Sequence, residues 1–346
     1  MIKDKGIFIG YVFTVTIVIL LVFEFAILPW HYKLPRDIAL IGFVGKPGTV
    51  VNDTSINSVG FTGDLIDTDR YPDEVRILTL GGSAMFNRRM TERLIVSLNK
   101  ISRHPVKIMG AALQTHTSMS SVIKYRTLSK YKFDYVLIYH AINDLFVNNV
   151  YVDYFKSDYS HMDPWYRRNR ILDNSLVARA IYNNIIWGRK IFGTGSWYLR
   201  YVFPDKYLEN AMDFESERLF GRNMTTLVQE IKHDGATPIL MTFAWNIPDH
   251  YTREAFESGE LGYAATNFKS YPVELWGSVG FVKEGIRRHN KVIREIAKDH
   301  GTLFIDQENL MGKDLRMFED VCHLSDEGTE TFIQHITEFF QKNKLL

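Results

Sequence analysis

The chain has 346 residues, of which 46% are hydrophobic and 23% charged, a composition that excludes a disordered polyelectrolyte and fits one large or two modest domains. A formal net charge of +1 gives no sign of a nucleic-acid partner, and none is expected. Cys322 is the only cysteine, so neither an intramolecular disulfide nor a cysteine-built zinc site can form.

The first element is apolar. From Gly6 to Leu28 the chain carries one charge, Glu24, and a helix of that length spans about 34 Å, enough to cross a hydrocarbon core. Pro29, Trp30, His31 and Tyr32 follow, an aromatic flank suited to a membrane interface, where a cleaved signal would show a small-residue site. The reading is a short tail (1–5), a single transmembrane anchor (6–28) and a connecting segment (29–72). A cleaved signal is the rival. Glu24 lies near the end of the span, where it is expected to reach headgroups or be protonated. Lys3 and Lys5 are matched by Lys33 and Arg36, so charge does not orient the span; the short tail favours a body outside the cytoplasm, on the outer side of a bacterial inner membrane.

Beyond it, short apolar runs alternate with amphipathic ones. Strands are predicted at 76–80, 106–109, 134–138, 237–241 and 302–306, and helices at 88–101, 118–130, 215–233, 281–300 and 325–342. Gly235 and Gly301 stand where helix-ending glycines belong. The alternation predicts parallel βαβ units and a three-layer α/β/α domain over 73–346 around a parallel five-stranded sheet. A stretch rich in Trp, Tyr and Arg, about 150–213, breaks the rhythm and is expected to form a helical cap insertion. It either packs its own small core or offers aromatic and Arg side chains to acidic sugars or a membrane surface.

Ligand sites in such sheets lie beyond the carboxyl ends of the strands. Ser83 follows the first strand through Gly81-Gly82, where a strand-to-helix turn exposes its Oγ to amide donors. A plain helix-capping serine is the bland alternative. Met85 stands where Gly-x-Ser-x-Gly needs its last glycine, which disfavours the common nucleophile elbow. Asp320 lies three residues before His323, close enough to hold Nδ1 and leave Nε2 to take a serine proton, unless both are ordinary loop polars. Ser325 is placed to cap the last helix. Cys322 is expected to point away from His323.

Three segments carry a resemblance: RILTLGGSAMF at 76–86, IYHAINDL at 138–145 and DVCHLSDEG at 320–328. In that order they are similar to the first, third and fifth blocks of the SGNH (GDSL-like) hydrolases, and Asn57 to Gly63 resembles a stretch preceding the first block in large members. The resemblance covers about residue 41 to the C-terminus. It implies Ser83 as nucleophile and oxyanion-hole amide, Asn143 as side-chain donor to that hole, and Asp320 and His323 as the rest of a triad. Thr115 aligns with the glycine whose amide completes the hole; that departure, and Ala141 where a glycine is usual, put the loop geometry in question.

Other signals are weaker. Gly42 to Pro47 superficially resembles a phosphate loop, but Pro47 replaces the required Ser or Thr. No histidine pair has metal-ligand spacing, so neither metal nor cofactor is expected; His116 and His140 are read as packing near the site. The expected function is a serine-dependent ester hydrolase or O-acyltransferase acting on ester-bearing glycan or lipid of the cell envelope. A non-catalytic glycan-binding member is the alternative, and the oligomeric state is not legible.

Overall fold

A computed structural model of the chain describes residues 2–148, 155–191 and 214–346. Five strands form the parallel centre of one sheet: β2 (Val75–Gly81), β3 (Val106–Gly110), β4 (Tyr135–Tyr139), β5 (Thr237–Met241) and β6 (Leu303–Ile305). A sixth strand, β1 (Thr62–Gly63), pairs antiparallel with β3 at the edge, giving the order β1-β3-β2-β4-β5-β6. The sheet therefore has one strand more than the five expected. Two residues with Thr and Gly show no strand periodicity, and only pairing with Met109 and Gly110 makes them one.

The strands read as unbroken apolar runs because both faces are covered. Ile77, Leu137, Ile239 and Ile305 point into one core with Leu94 and Leu98 of α2 (Met90–Asn99) and Phe332 and Ile336 of α7 (Asp326–Lys342). Leu78, Leu80, Val136, Ile138 and Leu240 point into the other. There they meet α3 (Ser118–Leu128), α5 (Glu215–His233) and the C-terminal half of α6 (Val279–His300). The mixed sheet with helices on both sides is the three-layer architecture that the alternation predicts. Gly235 and Gly301 both take positive φ, +82° and +56°, where the chain turns out of α5 and α6 into strands.

At the N-terminus, α1 (Ile2–Val22) continues through a π-helical turn, Phe23–Ile27, into Leu28–Tyr32. The residues before the span, from Ile2 on, are helical as well. Ile9–Tyr32, 24 residues with mean hydropathy 2.5, is long and apolar enough to cross a membrane or serve as a signal sequence, and nearly all of it stands clear of the body. Glu24 departs from expectation. It is buried against the body, paired with Arg36 at 2.5 Å, and accepts from Ser175 Oγ and from the Leu176 and Val177 amides, all at 2.9 Å. It caps α4 (Leu176–Ile191), because a carboxylate answers both the orphan amides and the positive end of that helix.

Residues 29–72 connect the helix to the sheet but also build the domain. Ile38, Leu40, Ile41, Phe43 and Phe61 are buried in the second core, and β1 belongs to the sheet. The described part of the aromatic insertion lies against that same region: Tyr159, Met162, Tyr166 and Leu176 fill the second core beside them. The described residues of that stretch thus pack into the domain's second core and not into a small core of their own. Trp197 and Arg200, and the side chains of Trp187 and Arg189, lie outside the described residues.

Candidate active site

The sheet order places a topological switch point between β2 and β4, where connections leave in opposite directions and open a crevice at the strands' carboxyl ends. Ser83 follows β2 and Asn143 follows β4 on its two sides. The glycines before Ser83 are needed for space. A Cβ on Gly82 would lie 2.4 Å from Asn143 Nδ2, and one on Gly81 would lie 2.9 Å from the Tyr139 carbonyl. Ser83 opens a one-turn 3-10 helix, Ser83–Met85, a position whose amide finds no partner within the turn.

His323 reaches this serine across 240 residues of sequence. Ser83 Oγ lies 2.7 Å from His323 Nε2, and His323 Nδ1 lies 2.7 Å from Asp320 Oδ2. Asp320 is fully buried; its Oδ1 accepts from the amides of Cys322 (3.0 Å) and His323 (2.9 Å), and its Oδ2 from the amide of Tyr271 (3.0 Å). Burial works against the Asp320 carboxylate, yet the His323 charge and these donors hold it below the usual range. Burial likewise opposes His323 protonation, and the Asp320 charge and hydrogen bond outweigh it, raising the imidazole well above its ordinary value. The network fixes the tautomer with Nδ1–H toward Asp320 and Nε2 free to accept the serine proton.

Asn143 donates one amide N–H to the His116 carbonyl (3.0 Å), which settles its orientation and leaves the other N–H for a ligand. Ala141 has φ −172°, outside the left-handed region that favours glycine. Thr115 is different. It sits at φ +61°, in the left-handed region that favours glycine, so the loop keeps a glycine-like path with a threonine at a cost of about 1 kcal/mol. Below it, Lys124, fully buried, donates to the Ala111 carbonyl and to His116 Nδ1 (2.8 Å). His140 meets Ser121 Oγ at 2.7 Å. His116 is thus held by Lys124 and His140 by α3. Asp144, beside Asn143, binds the amide and Oγ of Ser118 and the Tyr159 hydroxyl, and burial pushes its carboxyl up to about 6.

Ser83, Thr115, Asn143 and His323 line one cleft of about 280 Å³. Its wall is apolar and aromatic: Phe146, Phe268, Tyr271, Leu275 and Trp276, with Lys269 and Gln114 at polar positions. The described insertion residues contribute nothing to it. Apart from Phe146, the wall comes from the loop between β5 and α6, in which no sequence motif marks Phe268 or Trp276 as site residues. Arg88 is equally silent in sequence. It pairs with Glu319 (Nε–Oε1 2.7 Å) and Asp326 (2.8 Å), donates to Thr266 (3.0 Å) and stacks over Phe268, tying the Ser83 turn to the Asp320 loop.

Cys322 does not point away. Its Sγ is 3.7 Å from His323 Nδ1, because the turn that aims both amides at Asp320 folds the thiol back. Asp320, Cys322 and His323 are also the one set of potential metal ligands found among the described residues. Burial pushes the thiol up to about 12, so it stays protonated, and Nδ1 is already committed to Asp320. The donor set fits a hydrogen-bonded dyad better than a metal.

Fold and site together define a three-layer α/β protein with a serine, histidine and aspartate in hydrogen-bonded line at the sheet's carboxyl edge. No family model matches the sequence, and no curated protein matches it. Similar solved structures include a lipase/acylhydrolase from Enterococcus faecalis, with 14% identity and TM-score 0.43, covering 78% of this chain and 96% of that one. An acetylxylan esterase from Geobacillus stearothermophilus has 12% identity and TM-score 0.44, covering 77% and 93%. A GDSL-like lipase from Bacteroides thetaiotaomicron has 12% identity and TM-score 0.40, covering 78% and 88%.

Proposed function

We propose that this chain is a membrane-anchored serine ester hydrolase of SGNH type, or an acyltransferase using the same serine, with Ser83 as nucleophile, His323 as general base, Asp320 as its orienting carboxylate and Asn143 as oxyanion donor. The observation that carries the reading is the unbroken line Ser83 Oγ–His323–Asp320, with 2.7 Å at each step, opening on a cleft that Asn143 also lines. His323 Nε2 takes the hydroxyl proton as Oγ attacks the ester carbonyl. The Ser83 and Thr115 amides and the Asn143 amide hold the oxyanion, and the protonated imidazole then gives its proton to the departing alcohol. The acyl group is left on Ser83. Water resolves it in hydrolysis, and a sugar hydroxyl resolves it in O-acylation.

The aromatic wall of Phe268, Tyr271 and Trp276 suits the face of a sugar ring or the chain of an acyl group. The N-terminal helix, long and apolar enough to cross a membrane, supports a substrate class of ester-bearing glycan or lipid of a cell envelope, met on the outer side. A fluorophosphonate probe tests the chemistry. The full chain should be labelled at Ser83, and Ser83→Ala should lose both the label and the hydrolysis of a short aryl ester. Folded wild-type protein that takes no label would favour the non-catalytic glycan-binding reading.

A further inference from the structure

A second cleft, of about 480 Å³, lies at the foot of the N-terminal helix, away from Ser83. Its walls include Tyr32 and Lys33 from the helix end, Gly42, Lys46 and Pro47 from the following loop, and Trp165 from the insertion. Trp165 packs so closely over Gly42 that a Cβ there would lie 2.0 Å from the indole, which fixes the ring as a wall. No acidic side chain lines the cleft. The nearby carboxylates are engaged elsewhere: Glu24 with Arg36, Asp37 with Lys130, and Asp173 with both Arg168 and Arg179. The Lys33 and Lys46 ammonium groups have no hydrogen-bond or ion-pair partner among the described residues, and the Arg179 guanidinium sits over the Trp165 ring system, 5.0 Å from a ring centroid. Two lysines without a partner therefore line one aromatic-walled cavity at the end of a helix long and apolar enough to span a bilayer.

We propose that this cleft binds the phosphate headgroup of a membrane lipid, with Lys33 and Lys46 as its cationic ligands. Position selects the lipid over a free anion. The helix delivers Tyr32 and Lys33 at the level where hydrocarbon gives way to headgroups, and Trp30, 79% exposed on the same turn, faces that layer. The Gly45 and Gly48 amides already donate to the Gly60 and Ile56 carbonyls, so neither glycine amide is open to a phosphate. The helix's own carbonyls do not repel the ligand at full strength, since Pro29 and Trp30 accept from the Leu34 and Lys33 amides.

The site rests on the reading of the helix as an uncleaved anchor but not on the esterase chemistry, so its test needs no turnover. The full chain in neutral detergent is titrated into a fluorescent phosphatidylglycerol, and binding is followed by anisotropy. Competitors are short-chain phosphatidylglycerol, phosphatidylcholine of the same chain length, and inorganic phosphate. Saturable binding is expected, displaced by phosphatidylglycerol and not by the other two. Lys33→Gln with Lys46→Gln should weaken it about tenfold, and Lys33→Arg with Lys46→Arg should retain it, with thermal unfolding showing that both variants fold. Equal binding by the glutamine variant, or equal displacement by phosphatidylcholine or inorganic phosphate, overturns the proposal. Release of the wild-type chain from membranes by an alkaline wash overturns the anchor and the site with it; retention with equal variant binding overturns the site alone.

Discussion

At the scale of single residues, the site depends on which proton sits where. His323 must be neutral at Nε2 to accept from Ser83, and Asp320 raises its affinity for a proton above the ordinary value of 6.5. Lowering the pH through that raised value protonates the base, so kcat/KM for a soluble ester should fall on an acid limb centred above 6.5. Asp320→Asn removes the charge that causes the shift, and its residual activity should show the limb displaced to lower pH. An unmoved limb would assign the titration to another group. In the proposed reaction Asn143 acts on the other side of the carbonyl. Its free N–H is worth roughly 3–4 kcal/mol to a developing oxyanion, so Asn143→Ala should lower kcat about a hundredfold or more while circular dichroism and melting stay close to wild type.

At the scale of elements, the joint between the apolar helix and the body is a helix cap made from a distance. Glu24 and Leu176 are 152 residues apart in sequence, yet one carboxylate closes the first turn of α4 and pairs with Arg36. Glu24→Ala removes both the cap and the charge at the helix N-terminus, a loss of about 1 kcal/mol. Hydrogen exchange at the Leu176 and Val177 amides should then quicken about fivefold, with the sheet amides unchanged. Exchange as slow as wild type would mean that the cap does not hold α4. A carboxylate inside an apolar run reads from sequence as a cost to be met by lipid headgroups. Only the docked body supplies the amides that satisfy it.

At the scale of the whole molecule, loops from the length of the chain must close on one cleft, and Arg88 is the side chain that joins three of them. It reaches Glu319, Asp326 and Thr266 from the turn that begins at Ser83. Arg88→Ala leaves the buried Glu319 carboxylate without its partner, which costs about 3 kcal/mol, and should lower the urea midpoint accordingly. Arg88 sits in an unremarkable Asn-Arg-Arg run, so nothing in the sequence distinguishes it from a solvated surface arginine.

The sequence by itself determined the strand and helix order, the helix-ending glycines and the places where Ser83, Asn143, Asp320 and His323 fall. Those are local consequences of hydrophobic period, turn chemistry and position after a strand. It could not show that Thr62 and Gly63 form an edge strand, that Glu24 turns inward, that Cys322 folds back beside His323, or that the cleft wall comes from Phe268 to Trp276 instead of the aromatic insertion. Each of these depends on which segment arrives next to which. Residues far apart in the chain carry no periodicity in common, and packing alone decides that they meet.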